Sequence, residues 1–499
     1  MNPDFRMRWY GWMAQDEALA AREPFWQWLA GAMGMPALLA TPPRAPEDIA
    51  LAPPRLDEAA REKFAVLLGP CNVRQSSDAR AWHACAGNLP DLLRRRSGAL
   101  AHVPDAVLHP RREQDVLDIL QLCAGMNIAA VTSGVAQNGD AGNFAACVAI
   151  DLSDMTHVSP PDWMAGLVSA EAGIMGTELK RRLAAQGLVP DGPMSGASTL
   201  GGLIARPESC GSGWLAGARV ATPAGLLDAG PDLAGFIRGS GETFGIVTAA
   251  SLRVRALPVR EQHCRYLFPD FASGIAAIRE AARTGLRCTL RLSDDGETRF
   301  LEKLARSGEP STLRMRLGDI RREIRRFGGG ASVLAADFAD PGAAGTRRRF
   351  EALGRRLGAM ALDRDAHTPA EWHSTSRDTF LDRGVGLDRM TLSANWSQLP
   401  GLYVAVRRAL KAAMRARAPR DGAEGLVLAH VGHVRPDGAN LNVTWLFARA
   451  LDDEVAQAQA IRDAALAAAR GGRTALEQEA VHAIKRSLDP AGILNPRAG

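Results

Sequence analysis

The segment that most constrains the fold is residues 235–258, GFIRGSGETFGIVTAASLRVRALP. Its first half contains the glycine turn 239–245, and its second half, 246–257, alternates apolar and polar residues as a half-buried strand does. Glycines let a backbone approach a ligand closely and leave N–H groups open to anionic oxygens. A glycine turn that feeds a strand is common, so its interpretation depends on the segments around it.

Two upstream segments accompany the turn. Residues 193–202, PMSGASTLGG, are a loop of small and hydroxyl residues, and residues 168–173, VSAEAG, open an amphipathic helix that continues to Leu188. Residues 1–95 are predicted to be helical, and residues 101–152 to form β-α-β with a second strand close behind. Further predicted elements are strands at 201–205 and 246–254 and helices at 313–327 and 402–417.

These motifs resemble the flavin-binding domain of the vanillyl-alcohol-oxidase superfamily, the p-cresol methylhydroxylase (PCMH) type. The family's GSEGTLGIIT turn is similar to residues 239–248, its PGS…STLGG loop to 193–202, and its DPxGIxNP ending to 489–496. Its V-x-A-G helix opening is similar to 171–173. The segment Arg8–Trp12, RWYGW, resembles the start of the alkylglycerone-phosphate synthase family, a branch of the FAD-linked oxidases.

The resemblance implies an α+β fold with a two-subdomain PCMH-type FAD-binding domain and an α+β cap of the FAD-linked oxidase C-terminal type. The implied domains are a helical N-terminal extension (1–98), the FAD-binding domain (99–258), the cap (259–450) and returning C-terminal helices (451–499). The cofactor is then FAD, bound non-covalently, because the loop 131–142 has no His, Cys or Tyr for a covalent link. The residues that match cofactor contacts of the family are Ser133, Gly134, Pro193, Ser198, Thr199, Gly201, Gly202, Gly241, Glu242, Gly245 and Ile246.

The chain also departs from the family pattern. In the loop that resembles the pyrophosphate site, two of three family glycines are missing and Val135 replaces a hydroxyl residue. Gly241 and Glu242 stand in inverted order, and the wrapping loop after Arg206 is short. Two hypotheses therefore stay open: a flavoenzyme of the FAD-linked oxidase type with altered catalytic residues, or a flavin-poor, non-catalytic homologue that serves as a partner subunit.

The candidate catalytic residues are Arg291, His430 and His433. Arg291 matches a substrate-facing arginine of the synthase family and would pair with a phosphate or carboxylate; an ion pair with Asp294 or Asp295 is the alternative. His430 and His433 have H-x-x-H spacing, but positions i and i+3 of a strand point to opposite faces, so no metal site is predicted.

Two acid-base groups of the synthase family are absent. Asn442 stands where that family has its catalytic tyrosine, and no histidine run follows Gly472. The resemblance therefore implies the synthase family's architecture without two groups that its reaction uses.

Composition limits the partners. The net charge of +5 comes with dispersed arginines and no basic block with interleaved aromatics, so no nucleic acid is expected. The seven dispersed cysteines without C-x-x-C spacing indicate free thiols and a cytoplasmic location. The expected ligand is a small-molecule or lipid-like anionic substrate. The basic helix 402–417 predicts either peripheral membrane contact or a solvated helix face, and a homodimer is a further expectation.

Overall fold

The structure is a computed structural model that describes residues 17–45, 48–84, 88–100, 103–132, 144–192, 194, 198–205, 213–240, 243–259, 261–286, 288–306, 330–339, 342–362, 377–469 and 475–496. Several predicted features lie outside the described residues. They are the helix at 313–327 and the candidate cofactor residues Ser133, Gly134, Pro193, Gly241 and Glu242.

The described helices are numbered in chain order. They are α1 (Glu17–Ala20), α2 (Glu23–Ala32), α3 (Glu58–Leu68), α4 (Ser77–Trp82), α5 (Leu89–Ser97), α6 (Glu113–Met126), α7 (Gly176–Ala184), α8 (Leu200–Ala205), α9 (Pro231–Ile237), α10 (Phe271–Arg283), α11 (Asp295–Arg306), α12 (Ala343–Arg356), α13 (Arg377–Asp382), α14 (Leu399–Ala416), α15 (Glu454–Ala469) and α16 (Ala475–Leu488). Among the described residues, no helix is both long enough and apolar enough to cross a bilayer.

The described strands follow the same numbering. They are β1 (Val73–Arg74), β2 (Ala106–Leu108), β3 (Ile128–Thr132), β4 (Ala146–Ile150), β5 (Leu167–Glu171), β6 (Leu188–Pro190), β7 (Leu215–Thr222), β8 (Gly225–Ala229), β9 (Ile246–Ala256), β10 (Glu261–Phe268), β11 (Thr289–Ser293), β12 (Ser332–Ala339), β13 (Met360–Ala361), β14 (Val385–Asn395), β15 (Leu426–Gly432) and β16 (Gly438–Ala448).

The described residues fall into two compact units. The glycine-turn unit comprises residues 43–257 and 475–496, and the seven-stranded unit comprises residues 17–42 and 258–469. Among the described residues of the segment predicted as an N-terminal extension, 17–42 belong to the seven-stranded unit and those from 43 onward belong to the glycine-turn unit.

The glycine-turn unit contains two sheets. In the four-stranded sheet, of order β1-β2-β4-β3, the strands β2, β4 and β3 run parallel, and α6 connects β2 to β3. The Asp115 carboxylate accepts the N–H groups of Arg111 and Arg112, both at 3.0 Å, and so stabilises the start of α6. Near the C-terminus, residues 493–495 pair with Ala130 of β3 through hydrogen bonds of 2.8 and 2.9 Å.

The second sheet of this unit is antiparallel, of order β5-β9-β7-β8, with β6 also paired to β9. The central strand β9 begins directly after the glycine turn, as the alternating pattern of 246–254 predicts. One face of this sheet packs on α7, α8 and α9 through buried apolar side chains, among them Leu179, Ile204, Val220 and Leu252. The glycine turn therefore opens the strand on which the rest of the sheet depends.

Two local predictions in this unit are wrong. Residues 201–205, predicted as a strand, form the helix α8, in which the N–H of Gly202 bonds the Thr199 hydroxyl at 3.2 Å. A short apolar run is compatible with a buried helix or a buried strand, and periodicity alone does not separate them. Residues 168–173, predicted to open a helix, instead contain most of strand β5 (Leu167–Glu171), and the helix begins only at Gly176.

The seven-stranded unit is built on one antiparallel sheet, of order β13-β10-β12-β11-β15-β16-β14. One face carries Leu292 and packs on α10, where a Cβ at Gly274 would come within 2.5 Å of that leucine. The opposite face is covered at one end by α2 and α11, whose Trp26 and Phe300 pack with Leu428 and Leu446. The remainder of that face carries polar side chains, which are described below.

Candidate functional site

The glycine turn is held by packing within its own unit. Gly245 has a φ of 159°, and a Cβ there would lie 2.5 Å from Val220 Cγ1 and 2.7 Å from the Ala221 oxygen. Ile246 follows it, fully buried, and pairs with Ala221 of β7. Gly245 is therefore required by its close approach to β7.

Four candidate cofactor residues lie in the described part of the loop before α8 and in the first turn of that helix. Thr199 forms a bridge with Met175, and the N–H groups of Gly201 and Gly202 already bond the Ala172 oxygen and the Thr199 hydroxyl. Ser198 differs from them, because its hydroxyl is buried and has no hydrogen-bond partner in the part of the chain that the structure describes. A buried hydroxyl without a partner indicates a position where a ligand atom can bond.

In the seven-stranded unit, three charged or titratable side chains meet on the polar face of the sheet. Glu297 Oε1 accepts a hydrogen bond of 2.8 Å from the Arg291 guanidinium and lies 3.2 Å from His430 Nδ1. The same guanidinium lies 3.2 Å from His430 Nδ1 and donates to the Ser293 hydroxyl at 3.0 Å. We call this group the Arg291–Glu297–His430 network.

Burial and charge fix the protonation states in this network. Burial alone would raise the pKa of Glu297, but Arg291 and His430 hold it well below its usual range, so Glu297 is a carboxylate. Burial lowers the pKa of His430, and the positive charge of Arg291 lowers it further. The network is therefore an ion pair beside a neutral imidazole.

Glu297 is the member that sequence reasoning missed. The candidate ion-pair partners of Arg291 were Asp294 and Asp295, but Asp294 instead bonds Arg407 of α14 at 2.7 Å and Tyr403 at 3.0 Å. The other oxygen of Asp294 accepts the N–H of Glu297 at 2.8 Å and so caps α11. Burial raises the pKa of Asp294 to about 7. This cap aims the first turn of α11 so that Glu297 meets Arg291.

Register brings Asn442 beside the network. Ser293 of β11 lies opposite His430 of β15, His430 lies opposite Asn442 of β16, and Asn442 lies opposite Thr391 of β14. Opposite residues of antiparallel strands share a face. The Asn442 side-chain oxygen accepts a hydrogen bond of 2.7 Å from the Thr391 hydroxyl. The amide of Asn442 is therefore held in place by Thr391.

The structure separates the two candidate histidines. His430 lies within β15, whereas His433 lies one residue beyond its end, exposed, with a left-handed φ of 47°. Within the described residues no group of His, Cys, Asp or Glu side chains is arranged to hold a metal ion. Arg291 and His430 are thus brought together, and His433 is not.

A pH experiment follows from the lowered pKa of His430. The folded protein favours the neutral imidazole, so this contribution to stability is present above pH 6.5 and is lost as the pH falls through the folded-state pKa. We compare the free energy of unfolding of the wild type with that of His430→Gln. As the pH falls from 6.5, the difference in favour of the wild type should decrease by up to roughly 1.4 kcal/mol for each unit by which the His430 pKa is lowered. Denaturant titrations across the pH range measure it.

The matched control is His263→Gln, since His263 lies in the same sheet with a side chain that is 45% exposed. It shows whether removing an exposed histidine from the same sheet changes the result. A difference between wild type and His430→Gln that stays constant with pH would contradict the neutral imidazole.

Two family models match the chain. The one described as an FAD binding domain matches residues 104–227, and the one described as FAD linked oxidases, C-terminal domain, matches residues 258–476 and 472–498. Together they match well over half of the chain, which therefore belongs to the FAD-linked oxidase family of flavoproteins. The predicted α+β architecture and FAD as the cofactor are confirmed.

Within this family the chain is similar to alkyldihydroxyacetonephosphate synthases. It is 29% identical over 278 residues to the one from Trypanosoma brucei brucei, a match that covers 50% of this chain and 45% of that protein. The match spans about half the length of such curated relatives. A solved alkyldihydroxyacetonephosphate synthase has 22% identity and a TM-score of 0.76 over 95% of this chain and 92% of its own. p-Cresol methylhydroxylase with substrate bound has 15% identity and a TM-score of 0.62 over 92% and 98%. These two structures confirm the fold.

Among the described candidate residues of the glycine-turn unit, Ser198 is the one whose hydrogen-bonding capacity fits a flavin. The N–H groups of Gly201 and Gly202 are used internally, and Ser198 offers the buried hydroxyl that has no partner among the described residues. Ser198 would hold the cofactor by donating or accepting one hydrogen bond. When bound, FAD supplies an isoalloxazine ring that can transfer hydride or electrons.

Proposed function

We propose that this protein is a flavoenzyme that holds FAD non-covalently and acts on a lipid-like substrate with an anionic headgroup. The observation that supports the proposal is the Arg291–Glu297–His430 network on a polar sheet face. The relatives that share about half their length with this chain are named alkyldihydroxyacetonephosphate synthases. The proposed ligand class is therefore an acylated dihydroxyacetone phosphate or a compound of similar charge and length.

Each member of the network has a proposed role. Arg291 binds the anionic headgroup, because its guanidinium is held in one orientation by Glu297 and Ser293. His430 serves as the proton-accepting group, because its imidazole is neutral and a neutral imidazole has a lone pair to accept a proton. Glu297 is the positioning residue, since one of its oxygens contacts both of the others.

The test is ligand binding observed through the flavin. A long-chain acyldihydroxyacetone phosphate should change the visible absorbance of the purified flavoprotein in a saturable way. The corresponding neutral monoacylglycerol, which has the same chain and no phosphate, should leave the spectrum unchanged at equal concentration. No saturable change with either compound, in protein that contains flavin, would contradict the proposed ligand class.

Contact with a membrane surface is a separate proposal, supported by helix α14. Arg407 of this helix faces inward to Asp294, while Arg408, Lys411 and Arg415 are exposed. We expect weak co-sedimentation with vesicles of anionic lipid at low salt, and its loss at high salt, because screening weakens exposed charges. Vesicles of neutral lipid are the control. Equal co-sedimentation with anionic and neutral vesicles, or no co-sedimentation at low salt, would contradict membrane contact. The exposed side of α14 would then be an ordinary solvated helix face.

A further inference from the structure

One buried carboxylate contacts three of the elements that surround the network described above. Asp294 lies directly after β11, and its side chain is fully buried. Its Oδ1 accepts the backbone N–H of Glu297 at 2.8 Å and the backbone N–H of Ala429 at 3.1 Å. Its Oδ2 accepts hydrogen bonds from the Tyr403 hydroxyl at 3.0 Å and from the Arg407 guanidinium at 2.7 Å. The cap on α11 is thus one of three links, and the others reach β15 and α14.

The link to β15 ends at the residue before His430. The N–H of Asp294 donates to the Ala429 oxygen at 2.8 Å, and Asp294 Oδ1 accepts the Ala429 N–H, so both backbone polar groups of Ala429 bond Asp294. The same Oδ1 holds the N–H of Glu297, whose Oε1 lies 3.2 Å from His430 Nδ1. One carboxylate oxygen therefore holds the two backbone segments that carry the contact between Glu297 and His430.

The carboxylate of Asp294 has no capacity left for a ligand. An ionised carboxylate offers about four acceptor sites. The hydrogen bonds from Glu297, Ala429, Tyr403 and Arg407 occupy them. Asp294 therefore acts on the network through the groups that it holds, and not by binding a substrate atom.

We propose that Asp294 is a positioning residue, which holds Glu297 and His430 at the separation that lets His430 accept a proton. This inference rests on the proposed function, because it assigns a support to the proton-accepting group. Burial lowers the pKa of His430, the charges of Arg291 and Arg389 lower it further, and Glu297 raises it. Opposite charges within about 4–6 Å shift a pKa by roughly 1–3 units. The distance to Glu297 therefore determines how readily His430 takes up a proton.

The test is an NMR titration of the flavin-containing protein with labelled histidine rings, in which the resonance lost in His430→Gln identifies His430. Asp294→Ala should lower the His430 pKa in the folded protein by roughly one unit or more, because Glu297 is no longer held beside it. Asp294→Asn should recover most of this shift. Its amide oxygen can accept the same two N–H groups, and its amide nitrogen can donate to Tyr403.

Asp270→Ala is the matched control. Asp270 is exposed, and its carboxylate caps α10 of the same unit by accepting the Ser273 N–H at 2.7 Å. Helix α10 packs on the face of the sheet that carries Leu292, opposite the network. The control therefore removes a helix cap of the same kind and should leave the His430 pKa unchanged.

Three results would overturn the positioning role. One is a folded Asp294→Ala protein that loses stability while its His430 pKa stays unchanged. Another is a shift in Asp294→Asn as large as that in Asp294→Ala, because the effect would then come from the lost charge. If Asp294→Ala does not fold, Asp294→Glu replaces it, since it keeps the charge and moves the oxygens by one methylene. The His430 pKa should again fall, and an unchanged pKa in that variant is the third result.

The two proposals fail in different ways. If the His430 pKa is insensitive to Asp294 but the long-chain acyldihydroxyacetone phosphate still changes the flavin spectrum, only the positioning role is wrong. If the His430 pKa depends on Asp294 but no long-chain compound changes the flavin spectrum, the positioning role stands and the proposed lipid-like substrate is wrong.

Discussion

The protein is expected not to exchange the acyl chain of acyldihydroxyacetone phosphate for a long-chain alcohol, although it shares its fold with the synthases that it resembles. The resemblance places Asn442 where that family has a catalytic tyrosine, and no histidine run follows Gly472. An amide has no proton to exchange in acid-base catalysis, and the oxygen of Asn442 already accepts the Thr391 hydroxyl.

The expected loss is large. Removing one general acid-base group costs roughly 10²- to 10⁴-fold in rate. Because the resemblance implies that two such groups are absent, we expect turnover below detection even in protein that contains flavin and binds the headgroup. An assay with labelled long-chain alcohol measures this turnover. The alkyldihydroxyacetonephosphate synthase from Trypanosoma brucei brucei is the positive control. Clear turnover that disappears in His430→Ala or His433→Ala would contradict the prediction.

The second large effect is expected at Glu297. Glu297→Ala should lower the free energy of unfolding of the protein by about 3–5 kcal/mol, because it leaves the Arg291 guanidinium partly buried without its carboxylate. The side chain of Glu297 is 1% exposed, so its ion pair with Arg291 is shielded from solvent water in the wild-type protein. Denaturant titration with the flavin content held equal measures the change.

Two further variants separate the ion pair from general disruption. Glu280→Ala removes a carboxylate that is 42% exposed and paired with Arg283 on α10, and it should cost less than about 1 kcal/mol. Arg291→Met combined with Glu297→Met should recover much of the loss, because replacing both members of a buried pair by apolar side chains removes the unpaired charge. If Glu297→Ala costs no more than Glu280→Ala, the network does not stabilise the fold as described.

The parts of the fold that the sequence predicts well are local. Helix α6 lies within the predicted β-α-β segment 101–152, α14 lies within three residues of the predicted helix 402–417, and β9 follows its glycine turn, because amphipathic periodicity and turn chemistry act over a few residues. The short helix α8 was predicted as a strand, since its apolar run carries no usable period. Whether this run forms a helix or a strand is determined by its tertiary packing on β5 and β9.

The candidate site was harder to predict because it depends on register between distant strands. Arg291 and His430 were found as single residues, but their contact requires β11 to pair with β15 so that Ser293 lies opposite His430. Glu297 was missed because α11 was not predicted. The signal was present in residues 294–306, where Asp294 is a helix cap and Phe300, Leu301 and Leu304 recur at helical spacing.

The glycine motif carries two kinds of information. Gly245 is required by its approach to β7, and Gly201 by its approach to Ala172, where a Cβ would come within 3.1 Å. These glycines are explained by packing within the protein, so their presence alone does not indicate a bound cofactor. Ser198 is different, because its buried hydroxyl has no partner in the described chain. We expect it to gain one when a cofactor binds.

Non-covalent FAD binding is tested by the visible absorbance of the purified protein before and after acid precipitation. We expect a flavin spectrum in the native protein, with all colour released to the supernatant by acid, because the loop 131–142 offers no His, Cys or Tyr for a covalent bond. Ser198→Ala should keep the fold and retain less flavin. A colourless protein that takes up no added FAD would show that the flavin site is lost, and colour that stays with the precipitate would show a covalent link.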